Sequence, residues 1–169
     1  MSPLVFYLAH FVVLAYAMVG GVFLAFSDFI MRALSVTRGH GGVETMQTIN
    51  REVFRWVFMM LFLGLAPASL LIAAYGAIVV EHGPGLLMSL AGLAYFAGCF
   101  GVTVFFNVPM NETLAGMETS ADATRDYWTR TYLPRWSFWN TVRTVACGMS
   151  AALLLVSLTW AAQSQAPAG

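Results

Sequence analysis

Lysine is absent from this chain and charge of either sign is scarce: Asp, Glu, Lys and Arg together make up 9% of its 169 residues, with a formal net charge of zero. Nucleic-acid recognition needs a positive field along one face, so no nucleic-acid partner is expected. The cysteines number only two, Cys99 and Cys147, with neither metal nor redox spacing. Both fall inside apolar runs, where a small thiol packs as a hydrophobe. A disulfide between them requires the two runs to align. The histidines, His10, His40 and His82, are isolated from one another. No Glu-x-x-His or paired signature accompanies them, so haem and di-iron chemistry find no support and no metal site is expected. A nucleophile elbow, a P-loop and a dinucleotide fingerprint are missing as well.

What fills the chain instead is hydrocarbon. Hydrophobic residues make up 59% and mean hydropathy is +0.74. Uncharged stretches run from Leu4 to Ser27, Val57 to Val80, Leu86 to Asn111 and Thr144 to the C-terminus. Each suffices for a helix that needs roughly 20 apolar residues to cross a bilayer. The expected fold is all-α: a transmembrane four-helix bundle, up-down and antiparallel, with a short interfacial helix before the last span. It occupies residues 1–162 as one domain, followed by a disordered tail at 163–169. The first run lacks a basic leading segment and is expected to be a retained span rather than a signal peptide.

The eight arginines fall in or beside the two longer connections. Arg32, Arg38, Arg51 and Arg55 lie between the first two spans, and Arg125, Arg130, Arg135 and Arg143 between the last two. The Glu81–Gly85 turn and both termini carry none. By the positive-inside rule, both long connections face the cytoplasm and both termini lie outside, in a cell inner membrane. Membrane lipid is then the obligatory surrounding partner, and a homo-oligomer is compatible with the bundle.

Local signals refine this outline. Ala17, Gly21 and Ala25 repeat every four residues, as do Ala94 with Gly98 and Ala97 with Gly101, and such stripes let helices approach closely. Pro67 is expected to disturb the second span. Trp56 suits an interfacial anchor, and Ser120 is a candidate cap for a short helix over Ala121–Leu133.

Polar residues converge at the arginine-bearing end of every span. Asp28 closes the first, while Gln47, Asn50 and Arg51 precede the second. Asn107 and Asn111 end the third, and Trp136, Trp139, Asn140 and Arg143 open the fourth. Ionisable groups near hydrocarbon are costly unless paired or wet, so Asp28 and Arg143 are the expected pair and the candidate catalytic residues. Gln47, Asn50, Asn107, Asn111, Trp136, Trp139 and Asn140 are the candidate substrate-binding set. Taken singly, each also suits a cap, a snorkelling cation or an aromatic belt.

Four stretches carry a resemblance: Gly21 to Ser27, Met46 to Asn50, Asn107-Val108-Pro109-Met110-Asn111, and Trp136-x-x-Trp139-Asn140-x-x-Arg143. On these the chain resembles the anthrone oxygenase-like family of small four-span membrane proteins. The matching positions are Ser27, Gln47, Asn50, Asn107, Asn111, Trp139, Asn140 and Arg143. For some fungal members the resemblance implies oxidation of polycyclic anthrones to anthraquinones without an obligatory metal or flavin. No resident cofactor is then expected, and molecular oxygen is the co-substrate. In that chemistry Arg143 and the asparagines hold a phenolate while Asp28 accepts or relays the proton. The leading expectation is such an oxygenase, acting on an aromatic, phenolic or quinol-type molecule at the cytoplasmic mouth. Its rivals are a non-enzymatic protein that binds lipid, a quinone-like molecule or a partner subunit, and a small transporter.

Overall fold

The computed structural model describes residues 2–55 and 57–164. Trp56, expected as an anchor, lies outside them, as does most of the expected tail. Every regular element among the described residues is helical. Four helices are long and apolar enough to cross a membrane: α1 (Pro3–Ser35), α3 (Val57–Ile78), α4 (His82–Ala115) and α5 (Asp122–Gln163). An amphipathic α2 (Gly41–Glu52) lies between the first two, burying Val43, Met46 and Gln47.

Three of the helices overrun the spans expected of them, all at the arginine-bearing end. α1 continues beyond Asp28 to Ser35, and α4 continues through Pro109 to Ala115. The short helix expected before the last span is continuous with it. Ser120 does not cap that helix: its hydroxyl bonds the Glu118 carboxylate at 2.9 Å, and the N-cap position is Ala121. Pro134 falls in the first turn after a π-helical segment, where a missing N–H costs little. α3 runs through Pro67 without a break.

The helices pack in chain order, α3 on α4, α4 on α5 and α5 on α1, with a lighter α1–α3 contact closing the ring. The helices are apolar outward as well as inward, and the polar side chains of the spans lie inside. Among the exposed large side chains of α1, Leu4, Leu8, Phe11, Leu14, Met18 and Val22 form a stripe at helical spacing that suits lipid. Inside lie Tyr16, Ser69, Tyr95, Cys99, Cys147, Ser150 and Ser157. Lipid tails are as apolar as leucine, so packing and interhelical hydrogen bonds must hold such helices together. Tyr16 Oη meets Ser69 Oγ at 2.7 Å, Tyr95 Oη donates to the Phe62 carbonyl at 3.0 Å, and Ser157 Oγ donates to the Pro84 carbonyl at 2.7 Å. Such bonds average about 0.6 kcal/mol each in membranes.

The small-residue stripe of α1 is not the packing seam. Ala17 and Gly21 are exposed, and a Cβ at Gly21 would meet nothing within 4 Å. The seam runs one position earlier, where a Cβ at Gly20 would sit 2.9 Å from the Cys147 Cβ. On α4 the tightest approach to α3 is at Gly92, whose absent side chain admits the Ser69 carbonyl.

Candidate functional site

Four π-helical segments interrupt the long helices: Phe26–Ile30, Phe96–Gly101, Thr103–Asn107 and Trp128–Tyr132. Such widened turns re-aim side chains and frequently mark functional sites. Three of them carry residues of one polar cluster, namely Ser27, Thr103 with Asn107, and Tyr132.

Arg143 is its centre. The side chain is 4% exposed, inside the bundle rather than at a lipid surface. Its Nη2 donates to Asn140 Oδ1 at 2.7 Å and its Nη1 to Thr103 Oγ1 at 3.2 Å. The guanidinium carbon lies 4.1 Å from the centroid of the Phe23 ring and 5.2 Å from that of Trp136. Asn140 is 0% exposed. Its Nδ2 donates to the Phe23 carbonyl and to Ser27 Oγ, each at 2.7 Å, which ties α5 to α1. Asn140 and Arg143 stand three residues apart, on one helix face.

The expected Asp28–Arg143 pair does not form. Asp28 is exposed, and among the described residues the arginine–carboxylate ion pairs are Arg55 with Glu52 and Arg130 with Asp126, both at the surface. The backbone explains the difference: α1 continues past Asp28 as a helix, and Phe23 and Ser27, spaced by four, form its inward face at this level. Arg143 is therefore a buried cation among neutral partners. Burying an unpaired ion costs several kcal/mol. Hydrogen bonds from a charged donor return about 1.5–3 kcal/mol each, and an aromatic face about 0.5–2 kcal/mol. The cluster solvates the guanidinium without neutralising it. Two buried polar atoms have no protein hydrogen-bond partner among the described residues: Arg143 Nε, a donor, and Asn107 Oδ1, an acceptor.

A second layer buttresses the first. Asn107 Nδ2 donates to the Trp136 carbonyl at 3.3 Å. Asn111 Oδ1 accepts from Tyr132 Oη at 2.7 Å and from Trp136 Nε1 at 2.8 Å, and Asn50 Nδ2 reaches Tyr132 Oη at 3.5 Å. The Tyr132 and Trp136 rings stack, 6.2 Å apart and 17° from parallel. This layer holds the Trp136 indole against Arg143.

Two candidates stand apart. Gln47 donates to the Leu114 and Met117 carbonyls at 2.8 and 3.1 Å and accepts from Thr119 Oγ1 at 3.2 Å, pinning α2 to the end of α4. Trp139 stacks on Phe106 at 3.8 Å and lines an open groove of about 630 Å³ with Phe105, Pro109, Met110 and Phe138. A second groove, of about 420 Å³, borders His40, Arg125 and Trp128. Neither groove touches Arg143.

Phe23, Thr103 and Tyr132 belong to the cluster and were not among the candidates. Each stands four residues before a residue that resembled the family or was a site candidate: Ser27, Asn107 and Trp136 respectively. That spacing was the available signal.

The profile of the family described as anthrone oxygenase matches residues 51–153, more than half of the chain. The chain belongs to the anthrone oxygenase family. The matched stretch includes Thr103, Asn107, Asn111, Trp136, Trp139, Asn140 and Arg143. Phe23, Ser27, Asp28, Gln47 and Asn50 precede it. No curated protein and no solved structure matches the chain.

Proposed function

We propose that the protein is a membrane-embedded oxygenase that converts the acidic methylene of a planar hydroxylated aromatic, of the anthrone type, to a carbonyl. The single observation that carries this is Arg143: a buried guanidinium with no carboxylate partner, gripped by Asn140 and Thr103 between two aromatic rings. Such a cation stabilises an anion that forms beside it more strongly than one in water would. An anthrone becomes reactive to dioxygen when it loses a methylene proton and its oxygen takes the negative charge. Arg143 would hold that oxygen, with Nε–H as the unused donor. Asn107 Oδ1 would accept from a neighbouring substrate hydroxyl, and the Trp136 and Phe23 faces would hold the guanidinium in place. Asp28, exposed at the same end, would accept or relay the proton.

The balance is simple. The methylene carbon gives up two hydrogens and gains one oxygen atom, and dioxygen supplies that atom and the oxygen of one water. Dioxygen is the oxidant, and the chain's residues bind, orient and stabilise charge. Asn50, Asn111 and Tyr132 act behind Trp136, while Gln47 and Trp139 shape the mouth.

The asymmetric arginines support an inner-membrane orientation with both connections cytoplasmic and both termini outside. The mouth then opens to the cytoplasmic leaflet, where a flat apolar substrate partitions. A second reading, a binding protein for a quinone-like molecule or lipid without turnover, is favoured by the two grooves that pass Arg143 by.

Oxygen uptake decides between them. Purified protein in lipid nanodiscs should consume one dioxygen per anthrone and release the anthraquinone. Stoichiometric binding without oxygen uptake would leave the binding reading, and neither result would remove both.

A further inference from the structure

The larger groove runs along the α4–α5 seam on the face that lipid would cover, and its chemistry changes along its length. At the arginine-bearing end stand Arg135, Pro134 and Pro109. Four residues away on each helix, about 6 Å deeper at 1.5 Å per residue, stand Trp139, Phe138 and Phe105. The two walls are level there, because the Trp139 ring stacks on Phe106 of α4. Pro109 and Pro134 each fall in the first turn after a π-helical segment. Widened turns and prolines are the usual causes of a bend in a helix, and this groove has both on both walls. Phe105 and Phe138 are 74% and 60% exposed, and at this depth the surroundings are hydrocarbon. Arg135 is exposed and, among the described residues, forms no ion pair and is the one charged residue lining the groove.

We propose that this groove is a binding site for an anionic diacyl phospholipid, with the phosphate on Arg135 and one acyl chain against Phe105 and Phe138. The occupant follows from the order of the groove's own chemistry: a cation at the membrane surface, an indole one turn in, and phenyl rings beside it. A phospholipid has the matching order of phosphate, glycerol esters and chain, and indoles favour the boundary between headgroup and chain. An arginine in the open reaches any passing phosphate by snorkelling. Here the adjoining groove fixes where the chain of that lipid must lie. The unneutralised guanidinium sets the headgroup class. A zwitterionic headgroup brings its own ammonium to the phosphate, whereas an anionic one leaves the charge to Arg135. One basic residue near an anionic surface favours anionic lipid by about five-fold. The groove does not touch Arg143, so the site stands or falls apart from the oxygenase reading.

The test places the full chain in phosphatidylcholine vesicles and titrates in phosphatidylglycerol or phosphatidylcholine brominated on the acyl chains. Quenching of Trp139 emission is taken as the difference between the unaltered protein and Trp139→Phe. Brominated phosphatidylglycerol should reach half-quenching at about one-fifth of the mole fraction that brominated phosphatidylcholine needs. Arg135→Gln should bring the two lipids level. Arg130→Gln removes the same charge from outside the groove, at a surface arginine paired with Asp126, and should keep the preference. Equal quenching by the two lipids in the unaltered protein overturns the headgroup assignment. A preference that survives Arg135→Gln, or that Arg130→Gln abolishes as fully, belongs to the charge of the whole arginine-bearing end and overturns the site. Quenching by neither lipid means a groove shielded from the bilayer, as by a second copy of the chain, and overturns it too.

Discussion

Asn140 faces two ways: its amide nitrogen holds the Phe23 carbonyl and Ser27 Oγ of α1, while its Oδ1 accepts from Arg143. One side chain therefore joins the first and last spans and aims the buried cation. Its removal should be felt in both respects.

Asn140→Ala should lower the thermal midpoint, because two interhelical bonds vanish and Arg143 loses an acceptor. Loss of buried hydrogen-bond partners costs about 1–3 kcal/mol apiece. Thermal unfolding in detergent reads this directly, and a midpoint equal to that of the unaltered protein would show that the helix contact is held elsewhere.

Gly20 and Gly21 should respond in opposite ways to one change. Gly20→Ala places a Cβ 2.9 Å from the Cys147 Cβ, whereas Gly21→Ala meets nothing within 4 Å. Overpacking costs about 1–3 kcal/mol, and an exposed helical Gly→Ala gains up to about 1 kcal/mol. A chain destabilised at Gly21 and indifferent at Gly20 would place the α1–α5 seam on the other stripe.

Tyr132→Phe should cost about 1 kcal/mol, the net worth of an ordinary hydrogen bond, because Asn111 Oδ1 keeps its bond from Trp136 Nε1. Substrate affinity should change little, since Tyr132 acts only through Trp136. Trp136→Phe should weaken binding more than Tyr132→Phe does, having lost both the indole face over Arg143 and that bond.

Asn107→Ala should separate binding from folding. In the free protein this residue makes one long bond, Nδ2 to the Trp136 carbonyl at 3.3 Å, and its Oδ1 makes none. Stability should fall by about 1 kcal/mol, while substrate affinity falls at least ten-fold. Equal small losses in both would mean that Oδ1 takes no part in binding.

The architecture was legible because the bilayer imposes it: four apolar runs can only be helices, and the arginines fall at one end. Most of the polar set was legible too, since Asn107, Asn111, Trp136, Asn140 and Arg143 meet in one network. The partners of Arg143 were not. Pairing it with Asp28 assumed that α1 ends where charge begins, but the helix runs on to Ser35 and turns Phe23 and Ser27 inward. The small-residue stripe of α1 misled for a related reason, whereas on α4 Gly98 does lie at a seam, a Cβ there falling 2.8 Å from the Ala146 Cβ of α5. In lipid both faces of a helix are apolar, so periodicity finds stripes without saying which faces a neighbour. The π-helical turns shift the spacing further and have no signature in composition.

Arg143→Met measures the central claim most directly, through thermal unfolding and oxygen uptake with an anthrone on the same preparation. Replacing buried ionic groups together by apolar chains of similar volume is often neutral or stabilising; removing Arg143 strands no carboxylate, though Asn140 Oδ1 loses its donor. The account predicts a stability within about 2 kcal/mol of the unaltered protein and oxygen uptake reduced at least a hundred-fold. A protein that unfolds far earlier while its remaining folded fraction consumes oxygen at the full rate would make Arg143 a structural pin, and would contradict the account.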